Sequence, residues 1–152
     1  MATIFQINIS TGGLPKHGLP KAEILELGLS GDLHRDMVHH GGPDRAVCLY
    51  SLERLMALQA ENHPAFPGAM GENITISGLD WEKVVPGVKI RLGEEVILEV
   101  TQYTVPCNHL IPFLDHGQIS RVSQSSHPGW SRVYARVVSN GKIKVGDRVE
   151  IN

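Results

Sequence analysis

VPGVKIRLG (residues 85–93) runs straight into EEVILEVTQYT (residues 94–104), and this pair of segments decides the fold. Residues 89–92 and 96–104 are short, rich in β-branched side chains and separated by a glycine-containing turn, which is the signature of strands rather than helices. The same character returns at residues 73–77, 134–138, 142–145 and 148–151. Many short strands between glycine turns are a β-barrel rhythm. Asn140-Gly141, between residues 134–138 and 142–145, predicts a tight hairpin, because a type I′ turn needs positive φ at both central residues. Residues 85–93 and 140–147 read as two copies of one device, a strand between glycine turns, without making a repeat protein.

Upstream, residues 2–9 alternate as a strand and stop at Ser10-Thr11-Gly12-Gly13, a turn or loop. Residues 21–29 carry Ile24, Leu25, Leu27 and Leu29; Gly28 and Gly31 favour a short strand or bend there. The apolar run 45–50 predicts a buried strand leading directly into a helix at residues 51–61. Ser51 is the expected N-cap, with Leu52, Leu55, Met56 and Gln59 on one face, and Pro64 and Pro67 stop the helix by about His63. The Met and Leu stripe of this helix is read as core.

The chain has 152 residues, 41% hydrophobic and 20% charged, with a formal net charge of −2. That fits a single domain over residues 1–152, whose core buries roughly 70% of the surface of the unfolded chain without disulfides or a structural metal. The charge and the lack of a long Lys/Arg run argue against nucleic acid or an anionic membrane as partner. No stretch approaches the roughly 18 apolar residues of a membrane helix, and the N-terminus has no signal-peptide pattern. A cytoplasmic protein acting on a small molecule is expected.

Cys48 and Cys107 are the only cysteines. Cys48, between Val47 and Leu49, reads as core. Cys107 follows Pro106 at the end of a strand-like run, with Asn108 and His109 next, and reads as a nucleophile or soft-metal ligand. His34, His39 and His40, with Asp32, Asp36 and Asp44, raise a zinc or iron site, although no zinc spacing fits and adjacent histidines on a strand face opposite ways. The alternative use of His40-Gly41-Gly42 is a backbone loop closed by Asp44. Residues 10–16 read as a surface turn or, with two glycine amides, hydroxyls and Lys16, as a site for an anion, and they lack the ending of a nucleotide-binding Gly-Lys-Ser/Thr loop. Glu72 and Asn73 stand at a strand start, where they cap a turn or orient a ligand. Arg132 and Arg136 read as solvated strand residues or, since they alternate onto one face, as residues that close the site.

Taken in order, Gly12-Gly13-Leu14-Pro15-Lys16, Gly28-Leu29-Ser30-Gly31-Asp32, His40-Gly41-Gly42-Pro43-Asp44, Gly68-Ala69-Met70-Gly71-Glu72-Asn73, Pro106-Cys107 and Gly146-Asp147 resemble the MOSC domain, the module named after the C-terminal part of molybdenum cofactor sulfurase, in its stand-alone bacterial form. The resemblance implies a mainly β fold, a distorted, mostly antiparallel β-barrel of the pyruvate-kinase type with one or a few short helices. It implies Cys107 as the ligand of a pterin-dithiolene molybdenum cofactor. Lys16 with Thr11, Gly12 and Gly13, and Arg35, would neutralise the cofactor, while His40, Glu72, Asn73 and Arg132 line the pocket. Relatives carry a basic residue directly after the Gly-Asp pair, where this chain has Leu33.

The implied activity is reduction of N-hydroxylated compounds. The alternatives are a non-catalytic carrier of the cofactor or of sulfur as a Cys107 persulfide, and a cysteine- or histidine-based enzyme with another metal. The wider family is also associated with pyridoxal phosphate, for which the sequence singles out no Schiff-base lysine. Without an iron–sulfur, haem or dinucleotide motif, a reductase of this kind needs a separate electron-donor protein. A monomer or homodimer is expected.

Overall fold

The computed structural model describes residues 1–33 and 41–152. Among these residues the strands are β1 (Thr3–Ile9), β2 (His17–Leu19), β3 (Lys21–Leu25), β4 (Gly28–Leu29), β5 (Val47–Ser51), β6 (Ile74–Ser77), β7 (Lys89–Leu92), β8 (Val96–Tyr103), β9 (Val133–Ser139), β10 (Gly141–Lys144) and β11 (Val149–Ile151), with one α-helix, α1 (Leu52–Ala60). Eight of them form a sheet in the order β11-β7-β8-β9-β5-β6-β1-β2, and β10-β3-β4 form a second, smaller sheet. The chain is mainly β with short helices, as its sequence predicts. The large sheet is not a closed ladder: β1 meets the residue preceding β11 only at a single bridge, Thr3 to Arg148. Hydrogen bonds from Ile4 N to Asp147 O (2.9 Å) and from Val149 N to Ala2 O (2.9 Å) reinforce that contact.

All five residues of β5 are buried. It runs parallel to β6 and antiparallel to β9, and both faces are covered, so its sequence does not alternate between apolar and charged residues. A parallel neighbour requires a crossover, which α1 supplies. The Ser51 side chain accepts from Arg54 N and caps the helix. The buried face of α1 is Leu55 and Leu58; Met56 is 57% exposed, which corrects its place on the apolar stripe. Gln59 instead donates to Ala65 O at 2.8 Å and ties down the chain beyond the helix.

The expected hairpin at Asn140-Gly141 does not form. β9 pairs with β5 and β8, while β10 crosses to β3 in the other sheet. Gly141 does not adopt positive φ. It is needed for close approach instead, since a Cβ there would lie 2.5 Å from the Cβ of Glu95. The turn chemistry of the dipeptide yields to packing between the sheets.

One connection matters most for the site. β8 and β9 are antiparallel neighbours whose ends, Tyr103 and Val133, lie opposite each other. Between them the chain leaves the sheet over residues 104–132 in a series of 3₁₀ turns and returns to its starting point, where Thr104 N donates to Arg132 O at 3.0 Å. Excursions longer than about 12–15 residues with ends this close usually serve a site. Cys107 lies just inside the exit and Arg132 just before the return. Among the described residues no helix is long and apolar enough to cross a membrane.

Candidate functional site

A cavity of about 500 Å³ opens where this excursion faces the loops after β1 and before β6. Its floor is the shared face of β5 and β9. Cys48 and Tyr134 are Cα partners across that ladder, so their side chains emerge on the same side, and Arg132 sits two residues before Tyr134. The far wall is Cys107, Asn108, His109, Leu110 and Phe113; the near side is Ser10, Gly13, Leu14, Lys16, Met70 and Asn73. Cys107 is half-buried and begins the 3₁₀ segment Asn108–Phe113.

The near side is held by a buried ionic cluster. Lys16 Nζ lies 2.7 and 2.8 Å from the two Asp32 oxygens, and the pair is almost wholly desolvated. Asn73 Nδ2 donates to Asp32 Oδ2 at 2.9 Å, and Ser10 N donates to Asp32 Oδ1 at 2.9 Å. Asn73 also accepts from Cys48 N and donates to Asn8 O, which joins the loop to the sheet. Asn8 is fully buried in mid-strand and donates to Glu72 O and Thr75 Oγ1. A sequence reading takes it for the solvated side of an alternating strand, whereas the 68–73 loop covers that side.

Of the residues singled out from sequence, the structure brings Cys107, Lys16, Gly13, Asn73 and Arg132 to one cavity. Thr11 and Gly12 lie off its lining; the Gly12 amide donates back to Ser10 Oγ, whose hydroxyl donates to Gly13 O. Glu72 is fully buried behind the cavity rather than in it, bonded by Thr75 Oγ1 at 2.9 Å. Its carboxyl is raised above the usual range by burial, against the smaller pull of hydrogen bonds and Arg132. Arg136 points away and pairs with Glu99 at 2.9 Å on the surface, so it does not close the site. Arg35 and His40, like His34, Asp36 and His39, lie outside the described residues.

Sequence reasoning missed Tyr134, Arg45 and Met70. The signal for Tyr134 was available: strand alternation puts it on the same face as Arg132. Burial pushes the Cys48 thiol up to about 11, with Arg132 partly opposing, so Cys48 is a protonated floor group, core by packing and cavity-lining by position. Arg132 is 5% exposed; among the described residues its guanidinium donates to Met70 O at 2.7 Å, and its buried Nε meets no partner there. A buried cation of this kind on a cavity floor suits an anionic occupant.

A family model described as the MOSC domain matches residues 36–150. The chain belongs to the MOSC domain family. This MOSC domain is 32% identical over 145 residues to Bacillus subtilis YflK, covering 94% of the chain and 64% of that protein. It is 36% identical over 135 residues to Escherichia coli YiiM, covering 84% of the chain and 58% of that protein. The crystal structure of that YiiM superposes with a TM-score of 0.74 over all of this chain and 70% of its own, at 26% identity. A Gibberella moniliformis protein named a reductase is 33% identical over 129 residues, covering 82% of the chain but 22% of that protein. The chain thus spans about three fifths of the two bacterial relatives.

Proposed function

We propose that this MOSC domain holds a pterin-dithiolene molybdenum cofactor through Cys107 and reduces N-hydroxylated compounds with electrons from a separate donor protein. The observation that carries the reading is the donor set. Cys107 is the half-exposed thiol of the cavity, and among the described residues no group of three His, Cys, Asp or Glu side chains is placed to hold a metal ion. One accessible thiol, with Cys48 buried in the floor, and no cage among the described residues fit a metal that arrives with ligands of its own. The Nε of Arg132, buried at the floor and without a partner among the described residues, fits the negative charge such a cofactor carries. The family relationship and the reductase among the relatives point the same way.

When bound, the cofactor supplies two-electron chemistry. The chain does the rest. Cys107 fixes the metal end, Arg132 meets anionic charge, and the Lys16–Asp32–Asn73 cluster holds the near wall rigid while leaving little net charge of its own. Leu14, Met70, Leu110 and Phe113 exclude water from the remaining space. Broken down to a fit, the cavity offers an anion-facing floor, a soft ligand on the wall, and an apolar region for the body of a small substrate.

The test is the molybdenum and pterin content of protein purified from a host that makes the cofactor, beside Cys107→Ser. Near-stoichiometric molybdenum, lost in the variant, with turnover of an aryl hydroxylamine, is the expected result. Binding without turnover supports the carrier function instead. Zinc or iron in place of molybdenum, or no metal in either protein, overturns the reading.

A further inference from the structure

The excursion over residues 104–132 sets a phenyl ring on the cavity wall. Among the described residues Phe113 lines the cavity, whereas Phe5 and Phe66 lie off it. Phe113 closes the 3₁₀ segment Asn108–Phe113 that Cys107 begins, and Leu110 and Leu114 to either side of it are buried. Phe66, in the loop after α1, packs against Phe113: the ring centres are 5.7 Å apart and the planes cross at 85°, an edge-to-face pair. Two segments far apart in sequence therefore hold this ring in place before any ligand arrives.

The ring faces a different task from the rest of the cavity. Arg132 on the floor and Lys16 and Asn73 on the near side bring charge and hydrogen-bonding groups, which suit an anionic, polar cofactor. Phe113, with Leu110, Pro112 and Met70, brings apolar surface. Cys107 and Phe113 stand at opposite ends of one 3₁₀ segment, on the order of 12 Å apart at a rise of about 2.0 Å per residue. That length leaves room for a metal held at Cys107, an N–OH group facing it, and the body of the compound against the ring. The bond that breaks is the same N–O bond whatever body carries it, so contact with the body sorts substrates through binding and leaves the chemical step alone.

We propose that Phe113 is a specificity-determining residue, whose ring packs on the apolar body of a hydroxylamine and selects aryl compounds over small or polar ones, an inference that rests on the reductase reading above. Phe66 keeps the ring in position.

The test compares the parent with Phe113→Ala and Phe113→Leu for molybdenum content and for kcat and KM on phenylhydroxylamine and N-methylhydroxylamine, with a chemical reductant as electron source. A readout independent of turnover is the affinity of oxidised, molybdenum-loaded protein for aniline, followed by NMR titration. Phe113→Ala is expected to keep its molybdenum, to raise KM for phenylhydroxylamine at least about tenfold with kcat within about threefold, and to change kcat/KM for N-methylhydroxylamine by less than about threefold. Aniline is expected to bind it at least about fivefold more weakly. Phe113→Leu, which keeps apolar volume without a ring, is expected to fall between the two, and it decides the matter by the same ratio where Phe113→Ala does not fold. A ratio of the two kcat/KM values within about twofold of the parent's, in a variant with full molybdenum, overturns the role of Phe113 and leaves the reductase reading standing. Equal affinity of parent and variant for aniline overturns it as well. Loss of molybdenum from folded Phe113→Leu assigns the ring to the cofactor and overturns substrate contact. A parent without molybdenum, or loaded but inert, overturns both.

Discussion

Two thiols share one cavity and face opposite chemical fates. Cys48 lies on the floor, 5% exposed and raised to about 11, so near pH 8 about one thiol in a thousand is ionised, whereas Cys107 stands half-buried on the wall. Iodoacetamide on the folded protein at that pH is therefore expected to modify Cys107 and spare Cys48, with both modified in urea; peptide mass spectrometry reads the sites. Glu72 makes a second residue-scale prediction. Its carboxyl is raised above 4.5 chiefly by burial, so above that value the unfolded chain releases a proton that the fold retains. The native state then binds more protons, and stability falls as pH rises from the ordinary carboxyl range through the folded value. Urea midpoints measured upward from about pH 5 should decline more steeply for the parent than for Glu72→Gln. Equal slopes would show that Glu72 does not hold its proton. At this scale the sequence was legible where a residue's neighbours in the chain define it, as for the place of Cys107, after Pro106, on a cavity wall. It was not legible for Asn8, Glu72 or Tyr134, whose roles depend on which face of a strand another segment covers.

The elements around the cavity are held by contacts between segments far apart in sequence. The excursion over residues 104–132 is latched to the end of α1. His63 Nδ1 accepts from Asp115 N at 2.9 Å, and Glu61 takes Arg121 in a two-point ion pair at 2.8 and 2.9 Å. The Arg121 guanidinium lies over the Trp130 ring, 4.0 Å from its centre, and the Arg54 guanidinium lies over the same ring at 4.6 Å. The loop before β6 is fitted as closely: Gly68 has φ 92, and a Cβ there would run into the Lys16 carbonyl oxygen. Gly68→Ala is thus expected to cost about 2–3 kcal/mol, seen as a lower urea midpoint at unchanged slope. A neutral result would show that the two loops separate freely. Strand positions were readable from the period-2 pattern because alternation reports local burial. Their partners were not, as the Asn140-Gly141 link shows: a turn signal describes four residues, while the pairing of β10 with β3 depends on Glu95 and on the other sheet.

At the scale of the molecule, the order of motifs along the chain carried the family, and with it the expectation of a mainly β fold gathering Cys107, Lys16, Asn73 and Arg132 around one space. Pattern and composition alone stop short of this, because they contain no term for the return of the chain from Tyr103 to Val133. The arrangement of strand lengths has a separate result. The longest strands, β8, β9 and β1, lie inside the sheet, and its two ends are β2 and β11, of three residues each. At the start of β11 the Val149 amide is taken by the Ala2 carbonyl, and the residues just before it, Gly146 and Asp147, bond the backbone of Ile4. A second chain seeking to add a strand finds no long row of open backbone groups to template on, so a protein this rich in β-structure is protected against edge-to-edge aggregation by the way its sheet begins and ends.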